Sequence, residues 1–163
     1  MSSTAAVKVP DVGETAPDFE LLDIDMKPKK LSEFRGKKTV LAFFPAAESP
    51  VCTVEMCSFR DSMDELRDYG ANVVGVSVDG PFANKSFSQN RHLNFPILSD
   101  YNREVIRKYG IVMKDLGGAK DYNAAKRSIF VLDDKGKIVY RWVSDNPLVE
   151  PDYKQIKQVL GKK

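Results

Sequence analysis

The sequence predicts an α/β fold, with one domain in which a mixed central β-sheet is flanked by helices. The chain has 163 residues, enough to bury one sizeable core. Short apolar runs rich in β-branched and aromatic residues alternate with helical patterns, as parallel strands joined by helices do. Two later apolar runs are separated only by a tight turn, which favours an antiparallel pair. We therefore expect a single domain over residues 1–163.

Four short apolar runs are the predicted strands of this sheet. The first is bounded by Gly36-Lys37-Lys38 before it and by Pro45 after it. The last two are joined by the sequence Asp-Asp-Lys-Gly, a composition typical of hairpin turns. The four runs are residues 39–44, 72–78, 128–132 and 138–142.

Three stretches carry apolar residues at helical spacing. They are residues 53–69, residues 102–109 and a last helix that begins at Pro151. Gly70 and Gly110 follow the first two, at the position where a helix commonly ends in a left-handed residue. The helices therefore fall between the predicted strands and after the last one.

Composition and charge exclude several classes of function. Charged residues make up 29% of the chain and leave a net charge of only +2, so neither a disordered tail nor a strongly cationic nucleic-acid binder is expected. No apolar run is long enough to span a bilayer and no secretory signal is visible, so we expect a soluble, cytoplasmic protein without a membrane partner. Two cysteines and one histidine are too few for a closed zinc site, so we expect no metal or other cofactor.

Cys52 is the first candidate for chemistry, because it lies at the start of a predicted helix. Unpaired N–H groups and the helix dipole lower the pKa of a thiol at that position, and the thiolate is the nucleophilic form. At about 100° per residue, Cys52 shares one core-facing stripe with Met56, Phe59, Met63 and Leu66. On position alone, a buried cysteine acting as a small hydrophobic residue stays the more common alternative.

The residues around Cys52 favour a catalytic role. Pro45 and Pro50 stiffen the loop before the helix, and Ser49 places a hydroxyl near the thiol, able to donate to a bound oxygen. Residues 43–55 read Phe-Phe-Pro-Ala-Ala-Glu-Ser-Pro-Val-Cys-Thr-Val-Glu. This segment resembles the peroxiredoxin family, whose signature is Pro-x-x-x-Thr/Ser-x-x-Cys directly after a core strand.

The resemblance covers nearly the whole chain. Arg127, entering a late strand, matches the arginine of the family in place and context. Residues 16–19, 31–36 and 95–100 match as well. The resemblance implies a thioredoxin-like fold and a thiol-dependent peroxidase that reduces hydrogen peroxide and organic hydroperoxides.

Carried over residue by residue, the resemblance implies that Cys52 is the peroxidatic cysteine, flanked by Pro45, Ser49 and Arg127. Attack on a peroxide pushes negative charge onto the departing oxygen, and donors such as Ser49 and Arg127 can stabilise that charge. The guanidinium of Arg127 also stabilises the thiolate directly. Glu55 matches the family glutamate and is expected to orient Arg127. The alternative for this pair is a plain surface ion pair.

Two positions depart from the family pattern. Glu48 and Pro50 stand where many members carry aromatic residues, so the rim of the pocket differs. If Glu48 faced inward, its charge would raise the pKa of the thiol.

Cys57 is the second thiol of the chain. It lies about 140° round the helix from Cys52 and about 7.5 Å along its axis. A disulfide needs Cα atoms within about 7 Å and converging Cβ atoms, so the first turns of the helix would have to unwind. The Cys-x4-Cys spacing resembles the bacterioferritin-comigratory (peroxiredoxin Q) branch, which implies that Cys57 resolves Cys52 and that thioredoxin or a similar dithiol reduces the disulfide.

Other functions stay open at this point. One alternative is a one-cysteine peroxiredoxin resolved by an external thiol, with Cys57 incidental. A second is a thiol-disulfide oxidoreductase, although its usual Cys-x-x-Cys pair is absent because Glu55 stands three residues after Cys52. A third is a binding or chaperone module that keeps the fold without the chemistry. The resemblance allows a monomer or a homodimer.

Overall fold

A seven-stranded mixed sheet forms the centre of the computed structural model, which describes residues 7–161. Residues 1–6 and 162–163, which the single-domain prediction includes, lie outside it. The strands are β1 (Glu20–Leu22), β2 (Pro28–Lys30), β3 (Lys38–Phe43), β4 (Ala71–Ser77), β5 (Ile97–Ser99), β6 (Val112–Met113), β7 (Ala124–Ala125), β8 (Ser128–Leu132) and β9 (Ile138–Val143). The sheet order is β2-β1-β5-β4-β3-β8-β9, and β6 pairs with β7 in a separate small sheet.

Four α-helices pack around this sheet. They are α1 (Pro50–Asp68), α2 (Pro81–Asn90), α3 (Glu104–Lys108) and α4 (Tyr153–Leu160). No helix within residues 7–161 is both long enough and apolar enough to cross a membrane. The predicted α/β architecture with a mixed central sheet is confirmed.

The sheet is mixed because the pairing changes from parallel to antiparallel at β3, and again at β5, which is parallel to β4 and antiparallel to β1. β3 pairs in parallel with β4 and antiparallel with β8, and β8 in turn pairs antiparallel with β9. Residues 39–43 of β3 are all buried, because helices and loops cover both faces of the sheet and leave no solvated side. β3 therefore carries the chain through the middle of the molecule and ends directly before the loop that leads to Cys52.

Each face of the sheet has its own apolar core. Leu41 and Phe43 point to one side, where they pack with Phe130 and Tyr109. Alternate residues of the same strand point to the other side, which α1 and α4 cover and where Cys52 lies. The thiol therefore belongs to the core on the α1 side.

Several boundaries differ from the prediction. α1 begins at Pro50, three residues before the predicted start, because proline is favoured in the first turn of a helix. The last helix begins at Tyr153 rather than Pro151, because the Asp152 side chain caps it by accepting from the backbone N–H of Gln155. Gly70 has the predicted left-handed backbone, with φ 74°.

Among the strands and α-helices of residues 7–161, α2 and the five short strands β1, β2, β5, β6 and β7 had no prediction. α2 buries Asn84 and Ser88 beside Phe87, so its core-facing side is too polar to give a helical apolar pattern. β5 has only three residues, too few to show a period. The hairpin of β1 and β2 is also short, and proline and two lysines make up β2.

Candidate active site

Cys52 is the third residue of α1 and lies at its buried side. The first helical hydrogen bond runs from the N–H of Thr53 to the carbonyl of Ser49 (2.9 Å), so the N–H groups of Val51 and Cys52 have no partner one turn back. All five residues of the predicted stripe are buried, and Cys52 itself is 0% exposed. The thiol therefore lies just below the surface, at the positive end of the helix dipole.

Arg127 connects the start of α1 to two other parts of the chain. It directly precedes β8 and is 1% exposed. Its Nη1 donates to Oε1 of Glu55 (2.6 Å) and its Nη2 donates to the carbonyl of Pro147 (2.6 Å). The guanidinium is also near enough to Cys52 for a negative charge on that sulfur to raise the pKa of Arg127, and its Nε is buried without a hydrogen-bond partner among residues 7–161. Since Glu55 is 0% exposed, the alternative of a surface ion pair between Glu55 and Arg127 is wrong.

Burial and charge act against each other in this pair. Burial alone would lower the pKa of Arg127, but the negative charges of Glu55 and Cys52 raise it above its ordinary value. Arg127 therefore stays cationic. Burial raises the pKa of Glu55 to about 7, and the positive charge of Arg127 offsets only part of that rise. Glu55 is thus a carboxyl group that changes its protonation near neutral pH.

Ser49 occupies the N-cap position of α1 without capping the helix through its side chain. Its Oγ instead donates to the carbonyl of Ala46 (2.8 Å), and its backbone N–H reaches the same oxygen (3.3 Å). A carbonyl only accepts, so the hydroxyl proton is directed at Ala46 and the lone pairs stay available to a ligand. The sequence led to the expectation that the Ser49 hydroxyl donates to a bound oxygen. In the structure the hydroxyl donates to Ala46 instead, so toward a ligand Ser49 acts as an acceptor.

A pocket of about 210 Å³ lies at the start of α1. Its wall is mainly apolar, and Arg127 supplies its charged group. Cys52 and Glu55 lie buried beside it. The lining residues are Pro45, Ala46, Ser49, Pro50, Val51, Leu116, Gly117, Arg127, Pro147 and Leu148. The structure therefore brings Pro45, Ser49 and Arg127 together in the wall of one pocket.

Glu48 faces away from the thiol. It has a left-handed backbone (φ 67°) and its Oε2 accepts from Nη2 of Arg91 (3.0 Å) in an exposed ion pair. The Glu48 carboxylate is therefore paired at the surface and does not face inward.

Cys57 lies in the same unbroken helix as Cys52. It is half-buried, and both thiols are free. One turn further along α1, Arg60 donates from Nη1 to the carbonyl of Arg91 (2.6 Å). The intact helix keeps the two sulfur atoms on different faces, as predicted, and does not bring Cys57 into the pocket.

Sequence reasoning missed the residues that reach the site from distant segments. Leu116 and Gly117 come from the loop after β6, and Pro147 and Leu148 come from the segment after β9. No local motif marks these positions, because only the tertiary fold places them beside the loop after β3. Among residues 7–161, no three His, Cys, Asp or Glu side chains group so that they could hold a metal ion.

Comparisons with known proteins agree with this geometry. Residues 12–141 match the sequence model of the AhpC/TSA family. The chain is 37% identical to peroxiredoxin Bcp of Escherichia coli, over 77% of this chain and 81% of that protein. It is 40% identical to the chloroplastic peroxiredoxin Q of Populus jackii, over 77% of this chain and 57% of the relative. The crystal structure of peroxidoxin BcpB from Mycobacterium tuberculosis superimposes with a TM-score of 0.81 at 33% identity, covering 91% of this chain and 95% of the other.

Proposed function

Because this chain belongs to the AhpC/TSA family and is a peroxiredoxin, a thiol-dependent peroxidase, we propose that Cys52 is its peroxidatic nucleophile. One observation carries the proposal: Glu55 and the Pro147 carbonyl hold the buried guanidinium of Arg127 in the wall of the pocket at the start of α1, close enough to Cys52 for the charges of the two groups to interact. A fixed cation beside a thiol at a helix N-terminus favours the thiolate. The same cation can then stabilise the charge that develops during attack on a peroxide.

The chemical step is a displacement on oxygen. The Cys52 thiolate attacks one peroxide oxygen, an S–O bond forms, the O–O bond breaks, and the second oxygen leaves as water or an alcohol after taking up a proton. Arg127 stabilises the charge on the leaving oxygen. Ser49 accepts a hydrogen bond from the O–H of the hydroperoxide, and Pro45 keeps water from the sulfur because its ring covers that side without a competing N–H.

The pocket supports organic hydroperoxides as substrates beside hydrogen peroxide. Its volume of about 210 Å³ is far larger than two oxygen atoms require, and Pro50, Val51, Leu116 and Leu148 give it apolar walls. Such walls add binding energy for an alkyl or aryl group without adding polar contacts. The substrate is therefore a hydroperoxide whose O–O group lies at Arg127 and whose substituent lies along these side chains.

The second half of the proposed cycle uses Cys57. Its thiol attacks the sulfenic acid of Cys52, forming a disulfide and releasing water, and a thioredoxin-like dithiol then reduces the disulfide. Since α1 is intact, its first two turns must unwind before the sulfur atoms meet. The bonds to be broken include those from the N–H and Oγ1 of Thr53 to the carbonyl of Ser49.

The separation of the two thiols on an intact helix also favours a second scheme. In that scheme an external thiol attacks the sulfenic acid and Cys57 takes no part. The two schemes share the peroxidase step and differ only in which sulfur joins Cys52.

Rapid mixing of the reduced protein with hydrogen peroxide tests both steps. Thiol loss is followed in wild type, Cys52→Ser and Cys57→Ser, and intact mass is then measured without reductant. We expect no rapid reaction in Cys52→Ser, loss of two hydrogens in wild type, and oxygen adducts in Cys57→Ser. Undiminished reaction of Cys52→Ser would end the proposal, and the same adduct in wild type and Cys57→Ser would leave only the external-thiol scheme.

A further inference from the structure

We propose that Asp79 is a positioning residue of the peroxide site, whose carboxylate fixes the Ser49 hydroxyl through one peptide unit. Asp79 lies two residues after the end of β4, and its side chain accepts a hydrogen bond from the loop between β3 and α1. The inference rests on the proposed function, since it assigns a partner to a residue of that site.

The contact is made through the peptide that joins Ala46 to Ala47. Its N–H, on Ala47, donates to Oδ2 of Asp79 at 2.7 Å. Its carbonyl, on Ala46, accepts both hydrogen bonds from Ser49. Because a peptide unit is planar and rigid, holding the N–H also fixes the direction of the carbonyl. A carboxylate on the N–H further polarises the peptide and makes the carbonyl a better acceptor.

Asp79 is itself held by a buried polar network. Its N–H donates to Oγ of Ser77 (3.3 Å), and its carbonyl accepts from Oγ of Ser99 (2.5 Å) and Nδ2 of Asn84 (3.3 Å). Ser77 and Asn84 are 0% exposed, and the Ser77 hydroxyl donates to Oδ1 of Asn84 (3.0 Å). Burying polar side chains costs free energy unless they are bonded to one another. Both the N–H and the carbonyl of Asp79 are therefore hydrogen-bonded, which fixes the backbone that carries its carboxylate.

The charge of Asp79 also acts on a neighbouring phenol. Burial raises the pKa of Tyr122, the charge of Asp79 adds to that rise, and the charge of Arg103 opposes it. The hydrogen bond to Ala47 is the contact through which Asp79 acts on Ser49.

The anchored hydroxyl has a definite direction. With its proton committed to Ala46, Ser49 presents lone pairs to the pocket and can accept from the O–H of a hydroperoxide. Without Asp79 the peptide between Ala46 and Ala47 loses the hydrogen bond on its N–H side, so the acceptor of the Ser49 hydroxyl is held less firmly. The substrate is then oriented less often for attack by Cys52.

A double-mutant cycle tests this connection. Asp79→Ala, Asp79→Asn and Ser49→Ala are compared with wild type, and each Asp79 change is repeated in the Ser49→Ala protein. The measured quantity is the second-order rate constant for Cys52 oxidation by hydrogen peroxide, per folded molecule by circular dichroism. Asp25→Ala removes an exposed carboxylate paired with Lys85 (3.7 Å) and serves as the charge control.

We expect Asp79→Ala to lower the rate constant about tenfold, as loss of a hydrogen bond to a charged group does, and Asp79→Asn, which keeps an acceptor, to lower it by about threefold or less. In the Ser49→Ala protein, Asp79→Ala should cause almost no further loss, because both residues act through one hydroxyl. An unchanged rate in Asp79→Ala, or the same loss in both backgrounds, would overturn the inference. Rapid oxidation of Cys52→Ser would instead overturn the proposed function.

Discussion

Replacing Glu55 by glutamine should remove a pH dependence from the stability of the protein. Burial raises the pKa of Glu55 from 4.5 to about 7, so the native state binds this proton more tightly than the unfolded chain does. A raised pKa contributes stability that is fully present below the unfolded value and is lost as the pH rises through the folded value. For Glu55 this window runs from pH 4.5 to about 7.

The size of the effect follows from the shift. A rise from 4.5 to about 7 corresponds to about 3 kcal/mol, at about 1.4 kcal/mol for each pKa unit. The wild type should lose about this much unfolding free energy across the window. Glu55→Gln keeps the side-chain volume and an oxygen that faces Arg127. Because glutamine does not ionise, the variant should not lose this unfolding free energy. The variant should therefore gain stability relative to wild type as the pH rises.

Urea unfolding of the reduced proteins between about pH 4 and about pH 8 measures this difference. Glu65→Gln is the matched control, because Glu65 lies on the same helix in a largely exposed ion pair with Lys157. The unfolding free energy of Glu65→Gln should differ from that of wild type by nearly the same amount across the window. If the difference for Glu55→Gln were also constant, or if this variant lost stability relative to wild type at higher pH, the reasoning would be refuted. Arg127 would then hold Glu55 ionised throughout.

Three further changes test other parts of the site. Arg127→Lys should lower the rate of Cys52 oxidation by about a hundredfold in stopped-flow mixing, because an ammonium group lacks the planar fork that reaches Glu55 and Pro147 together. Arg91→Met removes the exposed ion pair with Glu48 that holds the start of α1, so it should speed disulfide formation about twofold to fivefold. Quenched-flow mass spectrometry measures this rate, with Lys85→Met as the control, and an unchanged rate would contradict the expectation. Leu148→Ala should lower kcat/KM for an aryl hydroperoxide by about tenfold and leave the value for hydrogen peroxide within about twofold, and equal losses would exclude Leu148 as a substrate contact.

Much of the fold and of the candidate site could be predicted because the signals are local. β3 is a continuous apolar run and α1 has a clear helical period, so the stripe that buries Cys52 followed from spacing alone. The family prediction from residues 43–55 is confirmed, and with it the thioredoxin-like α/β fold. The off-stripe position of Cys57 also agrees with its half-buried place in the structure.

The rest depends on tertiary contacts that no local pattern contains. Asp79 and Pro147 reach the site from the ends of β4 and β9, and nothing in their own segments distinguishes them from ordinary loop residues. The direction of the Ser49 hydroxyl depends on a turn in which Ala46 offers the nearest carbonyl. Motif reasoning gives the residue type at such a position, but not which group its proton faces.

The start of α1 has to satisfy two opposed requirements in the proposed cycle. Attack on peroxide requires Cys52 to stay beside Arg127, whereas the disulfide with Cys57 requires the same turns to unwind. Glu55 lies between the two cysteines, so unwinding threatens its ion pair with Arg127, and breaking a buried pair of full charges costs about 3–5 kcal/mol. Because burial raises the pKa of Glu55 to about 7, a substantial share of the molecules carry a neutral carboxyl there at neutral pH. When Glu55 is neutral, its side chain can separate from Arg127 without breaking an ion pair. The burial that raises the pKa of Glu55 therefore also lowers the barrier to unwinding in the proposed cycle.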